Sequence, residues 1–140
     1  MKIAIIASEF GEASKAAQLL RNRYKAVSTS DADVIIALGG DGFMLQTLHA
    51  YMGRNVPIFG MNKGTVGFLM NESNDDDLIE RIGKADSFTL HPLRMRATRC
   101  DGEVVEHLAI NEVSLLRETR QAANIRVAID GKVRLPELVG

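Results

Sequence analysis

The chain predicts an α/β fold, a Rossmann-like parallel sheet in an N-terminal domain followed by an incomplete antiparallel all-β domain. Three features carry this expectation. Continuously apolar runs at Lys2–Ser8, Asp33–Leu38 and Val56–Met61 alternate with helical patterns, as central parallel strands do. Beyond Asp86 the period changes to two, with Leu93, Met95 and Ala97 alternating with Arg94, Arg96 and Thr98. Asp101-Gly102 and Asp130-Gly131 are both hairpin turn signals. Alternating β/α units followed by a run of strands indicate two domains, 1–86 and 87–140, joined near Ala85–Ser87.

The elements follow in order. Gly11–Tyr24 reads as a helix whose Ala16, Leu19, Leu20 and Tyr24 share one face. Phe43–Met52 reads as the next helix, with Leu45, Leu48 and Met52 turned inward. After the third strand, Gly64, Gly67 and Phe68 lie in a loop. Asn74 or Asp75 then caps a short helix through about Lys84, packed by Leu78, Ile79 and Ile82. Asp75-Asp76-Asp77 falls in its first turn, where acidic residues complement the helix dipole, a better reading than a metal site. Val104–Leu116 and Asn124–Ile129 complete the strand pattern, and this portion is too short to close a sandwich or barrel alone.

Composition narrows the function classes. The formal net charge of −1 over 140 residues leaves no basic footprint for nucleic acid. No run is long enough to span a membrane, and the apolar opening Met1–Ile6 is too short for a signal peptide. The single Cys100 excludes an internal disulfide and suits a reducing cytoplasm. His49, His91 and His107 share no metal-ligand spacing and read as structural or surface residues. Met44, Met52, Met61, Met70 and Met95 read as packing residues.

The chemistry concentrates where the second strand runs into Gly39-Gly40-Asp41-Gly42 and a helix. Glycines let a phosphate approach the backbone and tolerate a sharp strand-to-helix turn. The helix start adds amide donors and positive dipole. A Walker loop needs Lys and Ser/Thr after its last glycine, where Phe43-Met44 stand, and the dinucleotide fingerprint needs a small residue at Leu45. Two readings of Asp41 remain: a helix cap in a tight turn, or a carboxylate that holds a metal or accepts a proton from a nucleophile. The second suggests phosphoryl transfer.

Three segments together resemble the NAD kinase family: Gly39–Gly42 as its signature loop, Gly60–Leu69 as its Asn-x-Gly-x-x-Gly-Phe-Leu element, and Leu108–Val113 as its Asn-Glu motif. The match in order and spacing extends over essentially the whole chain. The resemblance implies transfer of a phosphate from ATP, or in some members polyphosphate, to the adenosine ribose 2′-hydroxyl of NAD, giving NADP. It also implies that Asp41 is the catalytic proton acceptor and lies in the NAD site with Gly42, Phe68, Asn111 and Glu112, while Gly39, Gly40 and Gly42 form the phosphate loop. The expected cofactor is Mg²⁺ or another divalent cation, bound mainly through ATP phosphates, since the chain offers no dedicated metal cage. Homo-oligomers are common in the family, with the site between an α/β and an all-β domain.

Two departures stand out. Phe43 occupies the position where most members carry Thr, so a hydroxyl contact is lost while the backbone amide remains. The family also continues past this C-terminus into an Asp-Gly pair and a Gly-Ser-Thr-Ala-Tyr loop, so the chain reads as a truncated form that is poorly active alone. Neighbouring strand residues face opposite ways, so Asn111 and Glu112 share a ligand only at a bulge or strand end. Read without the family, Asn111 bonds a loop backbone, Glu112 faces solvent, Phe68 packs in the core and Lys63 is an exposed loop lysine. Arg94 and Arg96 read as solvated, and Arg117, Glu118 and Arg120 as a charged hairpin tip. Competing readings are a related Gly-Gly-Asp-Gly enzyme (a diacylglycerol or sphingosine kinase, or a phosphofructokinase) and a non-catalytic nucleotide-binding module.

Overall fold

Strands that are apolar throughout need cover on both faces, and the first half of the chain supplies it. A computed structural model describes residues 1–9, 11–63 and 67–140. It begins with the β/α series β1 (Ile3–Ala7), α1 (Glu12–Tyr24), β2 (Val34–Gly39), α2 (Asp41–Ala50), β3 (Ile58–Asn62) and α3 (Leu78–Lys84). The three strands form one parallel sheet in the order β1-β2-β3. Ile5 pairs with Ile36, and Ile36 with Phe59, so β2 is the central strand. All six of its residues are buried.

On one face of the sheet, Ile3, Ile5, Val34, Ile36, Leu38, Phe59 and Met61 pack with Ala13, Ala17 and Leu20 of α1 and with Leu78 of α3. On the other, Gly60 lies beneath two thioethers. A Cβ there would come within 2.5 Å of Met70 Sδ and 3.3 Å of Met44 Sδ, so a larger residue at this strand position would push the two flexible methionine side chains aside.

On α1 the expected face holds at Leu20, with Ala16 and Tyr24 packed against the core, but not at Leu19, and α2 differs more. The fully buried residues of α1 are Ala13, Ala17 and Leu20, while Leu19 is 72% exposed. In α2 they are Met44 and Thr47; Leu45 and Leu48 are only half-buried. Small residues let a helix approach the sheet closely, and the Thr47 hydroxyl donates to the Phe43 carbonyl (2.8 Å), so its burial leaves no polar group unmet. Helix α2 also starts at Asp41 rather than Phe43, which sets Asp41 in its first turn.

The acidic run is corrected too. Asp77 is the N-cap residue of α3, without a side-chain cap bond, and Asp75 and Asp76 precede the helix. Asn74 Oδ1 instead accepts from the Asp76 amide (2.9 Å), making a turn ahead of α3. Leu78 is fully buried and Ile82 packs beside it, but Ile79 is 40% exposed.

The second half consists of two antiparallel hairpins. β4 (Leu93–Thr98) pairs with β5 (Val104–Ala109), and β6 (Asn124–Ile129) with β7 (Lys132–Val139). Both turn signals hold. Asp130 and Gly131 have φ of 50° and 73°, the positive pair that a two-residue hairpin favours. Strand β5 stops at Ala109 instead of running to Leu116. Its last partner is Leu93, and Pro92 immediately before lacks the amide that would extend the ladder. Among the described residues, no helix is long and apolar enough to cross a membrane.

Candidate active site

In a parallel sheet every strand ends on the same edge, and here β2 and β3 deliver the glycine-rich turn and the loop after Asn62 to that edge. Gly40, extended at φ −113°, is the N-cap of α2, and Asp41 is the first helical residue. The first-turn amides of α2 lack intrahelical acceptors by helix geometry, so Asp41, Gly42 and Phe43 present their N–H groups outward. The three glycines of the turn are not equivalent. A Cβ on Gly39 would meet Phe43 Cβ at 2.9 Å, so the Phe43 side chain covers this glycine, whereas a Cβ on Gly40 or Gly42 would point into open space. Phe43 thus has a packing role that a threonine would not fill. The open face of the turn is at Gly40 and Gly42.

The Asp41 carboxylate is half-buried and held by backbone. The Phe68 amide donates to its Oδ2 (2.8 Å) and the Leu69 amide to its Oδ1 (3.0 Å). Neither contact is the helix-cap bond considered above; both reach across to the loop after β3. Each carboxylate oxygen retains a second lone pair, so the group can still accept from another donor. Charge-assisted bonds of this kind are about twice as strong as neutral ones.

The same loop is anchored at both flanks. The Lys63 amide donates to the Gly39 carbonyl (3.0 Å), and Asn71 joins β3 through its amide to the Gly60 carbonyl (2.9 Å). The Lys63 ammonium pairs with Asp75 at 2.7 Å and the lysine side chain is 11% exposed, so it is a part-buried tie rather than an exposed loop lysine. Asp76 pairs with Arg23 (2.9 Å), and this hydrogen bond raises the guanidinium above its ordinary pKa. Gly64, expected in this loop, lies outside the described residues, as do Thr65 and Val66 of the same motif. Phe68 is fully exposed, not packed in the core, although its amide is fixed by Asp41.

Across from α2, the chain leaving β5 forms the opposite wall. An open cleft of about 280 Å³ is lined by Leu45, Gln46 and His49 from α2 and by Leu108, Ala109, Ile110 and Glu112. A neighbouring one of about 380 Å³ adds Met52, Arg94, Glu106 and His107. Leu45 stands one turn beyond Asp41 on the same helix face. Asn111 and Glu112 both lie past the end of β5, and Asn111 has φ 85°, a conformation that L side chains rarely adopt. The pair therefore sits past a strand end rather than within a regular strand, and of the two Glu112 lines the cleft. Asn111→Gly should leave the melting temperature equal or higher, while Asn111→Val should cost about 1–3 kcal/mol in denaturant unfolding.

A family model for the ATP-NAD kinase N-terminal domain matches residues 5–84. The chain belongs to the NAD kinase family. It is 52% identical over 140 residues to NAD kinase of Zymomonas mobilis, covering 99% of this chain and 54% of that relative. NAD kinase of Caulobacter vibrioides is 52% identical over 99% of this chain and 53% of its own length. For NAD kinase of Rhizobium meliloti the figures are 52% identity, 97% and 53%. The chain spans about half the length of the curated relatives it matches.

In this NAD kinase family chain, the structure joins Asp41 to Phe68 through the loop backbone and sets Glu112 opposite α2. Asn111 does not line that cleft, and the Phe68 ring points away from the core. Sequence reasoning missed Gln46, His49 and Ile110 as cleft residues. Their signal was helical spacing, since Leu45, Gln46 and His49 lie within one turn of each other and follow Asp41 directly. It also missed that Gly67 makes room for Asp41, which no local pattern encodes.

Proposed function

We propose that the protein transfers a terminal phosphate from ATP, or from polyphosphate, to the adenosine ribose 2′-hydroxyl of NAD, forming NADP. The observation that carries this reading is the position of Asp41, a carboxylate held at an amide-rich helix start, one turn before Leu45, which lines a cleft together with Glu112. Family membership supplies the substrate class.

Phosphoryl transfer passes through a loose transition state, so the acceptor hydroxyl needs little activation before attack. A carboxylate is too weak a base to ionise a ribose hydroxyl in advance. Asp41 orients the 2′-hydroxyl with its remaining lone pairs and takes the proton late, as the oxygen bonds to phosphorus. The α2 amides at Gly42 and Phe43 face phosphate oxygens, and Asn111, Glu112 and Phe68 border the adenosine.

A divalent cation such as Mg²⁺ is the expected cofactor, and the donor set fits it only as an ion carried by phosphate. Among the described residues there is no group of three His, Cys, Asp or Glu side chains that could hold one, and Asp75 and Asp76 are paired with Lys63 and Arg23. Bound there, the ion would screen phosphate charge.

The exposed Leu135, Leu138 and Val139 of β7 support pairing between chains, and the exposed free Cys100 accords with a reducing cytoplasm. A coupled NADP assay on the full-length protein, given NAD with ATP or polyphosphate, tests the reading. Turnover supports a kinase; binding of NAD or NADP without turnover points to a nucleotide-binding module.

A further inference from the structure

Gly67 stands directly beneath the Asp41 carboxylate. An added Cβ would lie 2.3 Å from Oδ1, 2.5 Å from Cγ and 2.6 Å from Oδ2, distances that Cβ atoms essentially never show. The atoms in conflict belong to a short side chain already fixed by two amides, Phe68 N–H and Leu69 N–H. Relief would therefore require moving the carboxylate or the loop, and either movement breaks the pair of hydrogen bonds. Gly67 carries no positive φ, so it is space and not backbone conformation that demands a glycine here.

We propose that Gly67 is a positioning residue: by leaving room for the Asp41 carboxylate it lets Asp41 fasten the Phe68–Leu69 backbone, and so fixes both the carboxylate and Phe68 at the head of α2. Asp41 then has two tasks, one toward the acceptor hydroxyl and one toward its own loop. The proposal deepens the kinase reading and rests on it for the substrate, but the latch itself can be measured without turnover.

Amide hydrogen exchange is followed at Phe68 and Leu69 in the full-length protein, in Gly67→Ala, in Asp41→Ala and in the double variant. Losing a hydrogen bond to a charged acceptor should speed exchange at these two amides by about 10- to 100-fold in each single variant. Exchange at Ile36 in the sheet core serves as the reference. The double variant should exchange no faster than Asp41→Ala alone, because the clash disappears with the carboxylate; this non-additivity is the signature of the latch. Should Gly67→Ala fail to fold, recovery of folding in the double variant supports the same clash. Unchanged protection in Gly67→Ala, or additive effects in the double, overturns the proposal. In steady-state assays, Gly67→Ala should raise KM for NAD as well as lower kcat, whereas mere loss of folded protein lowers kcat alone. If the unsubstituted protein forms no NADP while the exchange pattern holds, the substrate reading fails and the latch stands.

Discussion

Asp41→Asn is expected to lower kcat for NADP formation by about 10²- to 10⁴-fold, the usual contribution of a positioned acid–base group. Asparagine matches the shape of aspartate but carries one acceptor oxygen and an NH₂ that cannot accept. Of the two amides now bound, from Phe68 and Leu69, one would face a donor. The substitution therefore removes the proposed proton acceptor and half of the loop attachment together. Measuring kcat alongside loop exchange separates the two losses: a rate deficit larger than the loosened loop explains belongs to the chemistry. Near-normal turnover would remove Asp41 from the reaction.

The largest effect on stability is expected at Ile36. It is fully buried at the centre of β2, paired with Ile5 on one side and Phe59 on the other. Ile36→Ala deletes buried carbon and leaves a cavity between strands that cannot close up, at a cost of about 2–5 kcal/mol in urea unfolding. Leu19→Ala is the control. Its side chain is 72% exposed, so the change should stay within about 0.5 kcal/mol. Equal losses at the two positions would contradict the assignment of the α1 face.

The strands of the first half were legible because a central parallel strand must be apolar on both sides, and β2 is the clearest run in the chain. Helix faces were read less well, for a simple reason. Leu20 and Met44 are buried as their hydrophobicity suggests, yet the tight contacts also use Ala13 and Ala17 in α1 and Thr47 in α2, whose small side chains carry weak hydropathic signals. The end of β5 was overrun because Val113, Leu115 and Leu116 continue an apolar pattern, although Leu115 and Leu116 are 82% and 97% exposed. What ends the strand is its neighbour: Pro92 and Leu93 limit the ladder, a non-local fact.

The candidate site divides in the same way. Its motif residues are legible by chemistry and by family resemblance, and Asn111 and Glu112 lie past a strand end, one of the two arrangements the sequence leaves open for them. The bonds from Asp41 to Phe68 and Leu69 span separations of 27 and 28 residues. The room that Gly67 leaves for Asp41 is likewise a contact between segments far apart in the chain, and such long-range fits are invisible to spacing rules.

Strands β1, β2 and β3 finish along one rim, with their bodies packed against helices and the tips of β2 and β3 ending at Gly39 and Asn62, where the loops of the candidate site begin. Stability and the candidate site consequently occupy opposite parts of the same strands. A change of side chain on that rim, at Gly40 or Gly42 for instance, meets open space and leaves the sheet beneath untouched.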